Sequence, residues 1–360
     1  MSIYIKEELK EAILSLCGTM SVSGFEGRAA EELRARFGES FDEIATDAVG
    51  NHILIRRCGR AGAPLALIDT HFDEIGMMVT KVCEGGFLKF TSIGGLSLSV
   101  LQAADVMVYG KETIRGVITS TPPHLRQGGG DKLTPMEELM VDTGYPREEL
   151  ERIAPPGTPI GFAPCYGELL NGTLAGKSFD NKACAAIAAY ALSRIPGGEL
   201  AADVALLLSC YEETSALGGA AAASFELSPD YAMVIDVNLA RIPDAPKYET
   251  VPLGEGVSLS VSAATDRALT RMTRSLCEEG EIPHIMIAAP SSTGTNATSV
   301  YLSGGGIPTV DVGLPLRSMH TYNEVISMTD AESLCRLVEA FVTSEAIAER
   351  FGRGGEEVPV

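Results

Sequence analysis

Histidines and carboxylates recur in this sequence at the points where apolar, strand-like segments end. Seven such residues stand out: His71, Asp73, Asp180, Glu212, Glu213, Asp236 and His320. Open α/β sheets bind their ligands at the carboxyl ends of their strands, so we expect these residues to converge on one place. Imidazole nitrogen and carboxylate oxygen are the ligands that zinc and related divalent ions take in proteins. The sequence therefore predicts a metal site.

The set of donors suits two metal ions rather than one. Metals about 3.5–4 Å apart need at least one carboxylate to bridge them, and several carboxylates are available here. Asp73 follows His71 by two residues and could fix the tautomer of that imidazole from behind. One of Glu212 and Glu213 could act as a general base toward the attacking water. The residues alone do not divide these two roles between the two glutamates.

Five of these residues also have a structural explanation when they are taken alone. His71 and His320 could be buried structural histidines, and Asp180 could be the N-cap of the helix that follows it. Glu212 and Glu213 could be solvated residues at the start of a helix, where the macrodipole favours negative charge. The metal-site interpretation rests on the joint occurrence of all these residues. Three further histidines are interpreted as non-ligands: His52, His124 and His284.

The elements that must position these residues alternate between helix and strand. Hydrophobic periodicity predicts helices over 4–17, 24–37, 181–194, 216–224, 266–279 and 330–351. Apolar runs predict strands over 51–57, 64–70, 204–210, 231–237, 284–288 and 307–312. Such alternation is typical of an α/β sheet that is covered by helices on its faces.

Between the His71 strand and residue 167 the sequence pattern changes to short strand-like segments separated by glycine-rich turns. Strands are predicted here over 77–82, 87–91, 105–109 and 113–119. The simplest organisation is a catalytic α/β domain formed by 1–70 and 168–360, into which a β-rich domain of residues 71–167 is inserted.

Composition limits the classes of function. The chain has 360 residues, of which 45% are hydrophobic, so it can bury a large core and form two or three domains. Its 48 acidic residues against 28 basic ones give a formal charge of −20. That excess repels phosphate backbones and anionic membrane surfaces, which argues against nucleic-acid and membrane partners.

Targeting signals and cysteine usage point to the cytoplasm. Charged residues appear too early for a secretory signal, and no apolar run approaches the ~18 residues that span a bilayer. The eight cysteines are scattered without a Cys-x-x-Cys pair. We therefore expect reduced thiols rather than a disulfide framework or a thiolate zinc site.

Five ordered segments carry a family resemblance: HFDEIGMMV, GKSFDNKACAAIA, EETSALGGA, VIDVNLA and GIPTVDVGLPLRSMHT. They resemble the M42 family of metallo-aminopeptidases, and the stretches TPPHLRQGGG and MVDTGYPREELERIAPPGTPI are similar to that family's inserted domain. The resemblance covers nearly the whole chain. It implies a mixed-sheet α/β/α two-metal exopeptidase with a small inserted barrel or PDZ-like domain that makes oligomer contacts. It also implies dimers that assemble into a dodecamer.

The resemblance further implies a role for each site residue. One metal would be held by His71, Asp180 and Asp236, and the other by Asp180, Glu213 and His320, so that Asp180 bridges. Glu212 would be the general base, acting on a water that bridges the metals, and Asp73 would support the site from behind His71. Two divalent ions are implied, with zinc first and cobalt or manganese as alternatives.

The substrates implied are peptides that lose their N-terminal residue. A carboxypeptidase or deacylase that uses the same metal centre stays open as an alternative. A glucanase is less favoured, because glycosidases usually need carboxylates alone. A non-catalytic shell protein is less favoured because the base Glu212 and the full ligand set are intact.

The chain departs from the family pattern at a few positions, none of them a predicted ligand. Tyr211 and Thr214–Ser215 flank the glutamate pair where the family has other residues. Asn296 stands where the family often has aspartate, and Ser318 where it has tyrosine. Both are expected near the substrate, so they bear on substrate preference more than on metal binding.

Overall fold

One large mixed sheet with helices on both faces carries a closed β-barrel, which follows the sheet's third strand along the chain. The computed structural model describes residues 3–120, 133–214, 218–246 and 250–352. Within these ranges the helices are α1 (Ile3–Gly18), α2 (Gly27–Phe37), α3 (Arg147–Ile153), α4 (Phe179–Arg194), α5 (Gly218–Leu227), α6 (Arg267–Glu279), α7 (Ala297–Tyr301), α8 (Met328–Val342) and α9 (Glu345–Phe351).

The strands in the same ranges divide between the sheet and the barrel. They are β1 (Glu43–Thr46), β2 (His52–Arg56), β3 (Leu65–His71), β4 (Gly76–Val82), β5 (Phe87–Ile93), β6 (Asp105–Tyr109), β7 (Thr113–Ile118), β8 (Val141–Asp142), β9 (Pro159–Phe162), β10 (Gly167–Leu169), β11 (Thr173–Gly176), β12 (Asp203–Ser209), β13 (Tyr231–Leu239), β14 (Val257–Ser262), β15 (His284–Ala289), β16 (Thr309–Arg317) and β17 (Glu324–Ser327).

The centre of the sheet is parallel. The strand order is β1-β2-β12-β3-β13-β16-β17-β11-β10, with β14 and β15 attached beside β16. Strands β12, β3, β13 and β16 run in the same direction, and Ser209 at the end of β12 lies opposite His71 at the end of β3. These strands are buried along nearly their whole length, as expected where both faces of a parallel sheet are covered. Their carboxyl ends therefore meet at one edge, as the sequence predicted.

Two hydrophobic layers hold the helices on the sheet. On one face α4 is buried between the strands and helices α1 and α8, and its residues from Ala183 to Leu192 are all buried. Alanine side chains let its backbone approach its neighbours closely. On the other face α5 and α7 cover the strands, with Ala223 and Val300 packed in one cluster with Leu67 and Val234.

The barrel is closed by strands in the order β4-β5-β8-β7-β6-β9. Strand β7 alternates between exposed and buried residues along its length, as expected where one face lines a core and the other meets solvent. The interior of the barrel includes Met77, Leu88, Val106, Ile118 and Ile160. The α/β sheet with a small β-barrel confirms the predicted fold class, and of the two insert types named it is the barrel.

Two predicted elements end in different places. The helix predicted over 330–351 is broken into α8 and α9, because the hydroxyl of Ser344 accepts a hydrogen bond from the N–H of Ile347 and caps a new helix. The strand predicted over 307–312 continues to Arg317 as β16. Its extra residues stay in the sheet because Leu316 and Arg317 pair with Ile326 and Val325 of β17.

Helices of the described ranges are all too short or too polar to cross a bilayer. All eight cysteines lie in these ranges and are free thiols, and Cys165 is the most exposed of them.

Candidate metal centre

Three of the predicted residues meet at the parallel end of the sheet. His71 ends β3, Asp180 lies at the start of α4, and Glu213 lies in the loop after β12. One potential ligand atom from each lies within 4.8 Å of the other two. Among the described residues this is the group whose donor atoms could hold a metal ion.

Asp180 stands between two imidazoles. Its Oδ1 lies 3.0 Å from Nε2 of His71, and its Oδ2 lies 3.5 Å from Nε2 of His320. Asp236 Oδ1 lies 3.4 Å from the same nitrogen of His71, and Glu213 Oε2 lies 3.4 Å from that of His320. The nearest contacts thus fall into two groups that share Asp180, as a bridging carboxylate would require.

The two groups differ in burial. His71 and Asp236 are 2% and 6% exposed, whereas the side chain of His320 is 37% exposed. The main-chain oxygen of Asp73 lies 3.1 Å from Nδ1 of His71. A hydrogen bond there places the proton on Nδ1 and leaves Nε2 free to face the carboxylates. The site is therefore shielded from solvent at His71 and accessible to solvent at His320.

Asp73 makes a contact that the sequence did not predict. Its two carboxylate oxygens accept hydrogen bonds from the backbone N–H groups of Glu212, at 3.1 Å, and Glu213, at 3.2 Å. Its Oδ1 is 3.6 Å from Nδ1 of His71, so the main-chain oxygen is the nearer partner of that imidazole. Asp73 thus orders the loop that carries both glutamates.

Backbone conformation is unusual around the donors. Ser178, Tyr211, Ser318 and His320 all adopt the left-handed region, with φ between 58° and 64°. Non-glycine residues persist there when their surroundings fix them, and such residues cluster at functional sites. Each of the four lies in or beside a segment that carries a predicted site residue.

Crowded carboxylates shift one another's proton affinity. Burial, with Asp180 adding to it, raises the pKa of Glu213 to about 10. Burial also raises the pKa of Asp236 to about 7, although His71 opposes it. Burial raises the pKa of Glu212. His71 acts to lower it, and the charges of Asp180 and Asp73 act to raise it further. Several buried carboxylates around two imidazoles are costly unless cations compensate them, so the donor set fits divalent ions.

Glu324 belongs to the site, although sequence reasoning missed it. It is 2% exposed on β17, and its Oε2 accepts a hydrogen bond from the backbone N–H of Asp180 at 3.1 Å. Burial, and the Asp180 charge after it, raises the pKa of Glu324 well above its usual range. No motif in the sequence marks this residue, since its partner is 144 residues away.

The departures from the family pattern fall in different places. Asn296 is 5% exposed, and its Nδ2 donates to Oδ2 of Asp69 at 3.1 Å and to Oγ of Ser209 at 2.9 Å. It is therefore engaged in a buried contact rather than open to a substrate. Ser318 is exposed, and Tyr211 is exposed beside Glu212.

Other predicted positions lie elsewhere. His52 contacts Thr46 and Arg34, and His284 faces the main-chain oxygen of Ile282, so both have structural partners. His124 and Ser215 lie outside the described residues.

Comparison with known proteins gives consistent results. A family model described as M42 glutamyl aminopeptidase matches residues 50–337. The lysyl aminopeptidase of Pyrococcus furiosus is 29% identical over 342 residues, which cover 93% of this chain and 96% of the relative.

Two solved structures are similar along almost the whole chain. A TET aminopeptidase from a marine sediment archaeon of the Thaumarchaeota superposes with a TM-score of 0.88 at 25% identity, covering 96% of this chain and 99% of that one. The TET1 peptidase of Pyrococcus horikoshii, which can assemble into a tetrahedron or a large octahedral shell, gives a TM-score of 0.82 at 26% identity, covering 93% and 99%.

Proposed function

Because the chain belongs to the M42 family of aminopeptidases, we propose that it removes N-terminal residues from peptides with the help of two divalent metal ions. The observation that carries this proposal is the position of Asp180. Its two oxygens face the Nε2 atoms of His71 and His320, one oxygen to each imidazole. A carboxylate placed in this way can serve two cations at once.

The donor groups suggest which residues would hold each ion. His71, Asp180 and Asp236 would hold the buried one, and Asp180, Glu213 and His320 the more exposed one. When bound, the ions would supply the Lewis acidity that activates water and polarises the scissile carbonyl. Zinc suits the nitrogen and oxygen donors, and cobalt and manganese are alternatives because availability decides among them.

Glu212 would move the proton. Glu213 Oε2 is 3.4 Å from His320, whereas Glu212 has no ion pair with a histidine among the described residues, so Glu212 is the free member of the pair. Burial raises the pKa of its carboxyl group above the ordinary value, which makes the carboxylate a stronger base. It would take a proton from the attacking water and return it to the leaving amine.

Asp73 would support this proton transfer without touching the substrate. By holding the N–H groups of Glu212 and Glu213, it fixes the main chain from which both carboxylates project. Glu324 would act in the same way on Asp180, because its carboxylate accepts the backbone N–H of Asp180. Preorganisation of this kind keeps reacting groups near their productive geometry.

Homo-oligomerisation is part of the proposal. The TET1 peptidase of similar structure forms tetrahedral or octahedral assemblies, and the barrel of this chain would supply contacts between subunits. The charge of −20 would keep a large assembly soluble. A cytoplasmic location stays a prediction.

A panel of aminoacyl chromogenic substrates tests this function. We expect turnover that is lost after chelation and restored by zinc, cobalt or manganese. Turnover that survives complete chelation would contradict the metal requirement. Sugar release from glucans after chelation would instead support the glucanase alternative.

A further inference from the structure

A buried charged cluster lies beside the metal centre and has no role in the chemistry described so far. It consists of Glu74, Lys177, Ser178 and Lys182, which we call the Glu74 cluster. Glu74, Lys177 and Lys182 are 3%, 2% and 0% exposed. Charged side chains are almost never this buried unless they are paired, and here one carboxylate meets two ammonium groups.

A single oxygen of Glu74 collects the contacts of the cluster. Lys177 Nζ donates to Oε2 at 2.5 Å, Ser178 Oγ donates to the same atom, and Lys182 Nζ lies 3.3 Å from it. Lys177 Nζ also donates to Ser178 Oγ at 2.8 Å. Lys177, Ser178 and Glu74 therefore hold one another in a closed triangle, and charge-assisted hydrogen bonds are the stronger and shorter kind.

The cluster joins two segments that carry different metal-site residues. Glu74 directly follows Asp73 and comes three residues after His71. Lys177 and Ser178 come just before Asp180, and Lys182 comes two residues after it. The contacts on Glu74 therefore act across the gap that His71 Nε2 and Asp180 Oδ1 span at 3.0 Å.

Glu74 is itself anchored to a third segment. Its Oε1 accepts the backbone N–H of Ser21 at 3.0 Å, and its own N–H donates to the carbonyl of Ser21 at 2.9 Å. The N–H of Ser23 donates to the carbonyl of Glu74 at 3.2 Å. Both the side chain and the main chain of Glu74 are thus fixed, so the residue can serve as a reference point for the Asp180 segment.

Stability alone does not explain charged residues at this place. Replacing a buried ion pair by apolar residues of similar volume is often neutral or stabilising, whereas hydrogen bonds onto one oxygen fix distance and direction. We propose that Glu74 is a positioning residue: through Lys177 and Ser178 it holds the His71 segment against the Asp180 segment and thereby sets the affinity for the cation bound between them. This inference rests on the proposed two-metal function.

Zinc affinity of the full-length chain tests the inference. Zn²⁺ alone would be titrated in competition with a chromogenic chelator, for wild type, Glu74→Gln/Lys177→Met, Ser178→Ala and a control, and urea unfolding would be measured for each. Outer partners of metal ligands typically contribute 10–100-fold in metal affinity. In the double variant we expect zinc affinity to fall by about 10–100-fold at one of the two sites. In Ser178→Ala we expect it to fall by about 10-fold at that site.

Asp330→Asn is the matched control. Asp330 is fully buried and accepts the backbone N–H groups of Gly254 and Gly256 at 2.7 Å, so its hydrogen bonds among the described residues go to a loop that carries no proposed metal ligand. Its replacement should lower the free energy of unfolding without changing zinc affinity. Ser178→Ala decides the matter if the double variant does not fold.

The outcomes separate the inference from the proposed function. If wild type binds two zinc ions and the folded variants bind both as tightly, the positioning role is wrong and the function stands. If Asp330→Asn loses as much zinc affinity as the variants of the cluster, the effect is one of general stability and the positioning role is again wrong. If wild type binds no zinc, and neither cobalt nor manganese in the same titration, the proposed function fails, and the inference fails with it.

Discussion

The carboxylate of Asp73 holds the main chain of Glu212, whose N–H donates to Oδ1 at 3.1 Å. The neighbouring N–H of Glu213 donates to Oδ2 at 3.2 Å, and the main-chain oxygen of Asp73 lies 3.1 Å from Nδ1 of His71. One residue therefore orients an imidazole and both members of the glutamate pair. This contact links the end of β3 to the loop after β12, where the proposed base and one proposed ligand lie.

Asp73→Asn should lower kcat by about 10–100-fold, the usual effect of losing such a supporting partner. The amide group of asparagine would present its own N–H toward that of Glu212 or Glu213, so the loop would lose one of its two hydrogen bonds. Steady-state kinetics on an aminoacyl substrate measures this loss. Asp142→Asn is the control, because Asp142 also accepts a backbone N–H, from Gly144, but does so on the barrel. A kcat like that of wild type in Asp73→Asn would contradict the supporting role.

Glu212→Gln should retain its metal ions and lose roughly two to four orders of magnitude in kcat, the range for removal of a general base. Glutamine keeps the size of the side chain but cannot take the proton. Metal analysis of the same preparation distinguishes this result from Glu213→Gln, for which we expect loss of metal. Turnover near that of wild type in Glu212→Gln would show that another group is the base.

His320→Ala should cost one of the two metal ions per chain. Nε2 of His320 lies 3.4 Å from Oε2 of Glu213, whereas Nε2 of His71 has Asp180 and Asp236 as its nearest carboxylates among the described residues. Elemental analysis after desalting measures the metal content. His284→Ala is the control, since His284 contacts the main-chain oxygen of Ile282 and none of the donors. An unchanged metal content in His320→Ala would count against the assignment.

His52 should make stability depend on pH. Burial, followed by the charge of Arg34, lowers the pKa of His52 to about 4 in the folded chain, against an ordinary value of 6.5. As the pH falls, the unfolded chain binds this proton first, so the free energy of unfolding falls between about pH 6.5 and 4. In His52→Gln that contribution is absent. The difference in unfolding free energy between wild type and variant should therefore be constant above pH 7 and change below it.

Urea unfolding at several pH values measures this difference. A difference that does not vary with pH would contradict the lowered pKa of His52.

The convergence of the site could be predicted because it follows from sheet geometry. The apolar runs that became β3, β12, β13 and β16 had to be parallel and buried, and parallel strands end at one edge. This rule alone was enough to predict that His71 and Asp236 lie at the same edge of the sheet. The division of roles between Glu212 and Glu213 needed the family resemblance, since nothing in the local sequence distinguishes two adjacent glutamates.

The supporting contacts could not be predicted, because they depend on how loops return to the sheet. Glu324 reaches Asp180 from β17, a short strand without a distinctive pattern. The Asp73 carboxylate meets the Glu212 loop directly after Tyr211, which has a φ of 64°. Asn296 is buried and donates hydrogen bonds to Asp69 and Ser209, which no sequence pattern indicated. Each of these contacts joins residues far apart in sequence.

The central claim is that this chain removes residues from the amino end of peptides by metal-dependent hydrolysis. A matched pair of peptides tests it most directly: one sequence with a free amino terminus and the same sequence N-acetylated, each incubated with the metal-restored enzyme and followed by mass spectrometry. We predict stepwise loss of N-terminal residues from the free peptide only, and none after chelation. Shortening from the carboxyl end, or equal cleavage of the acetylated peptide, would contradict the account.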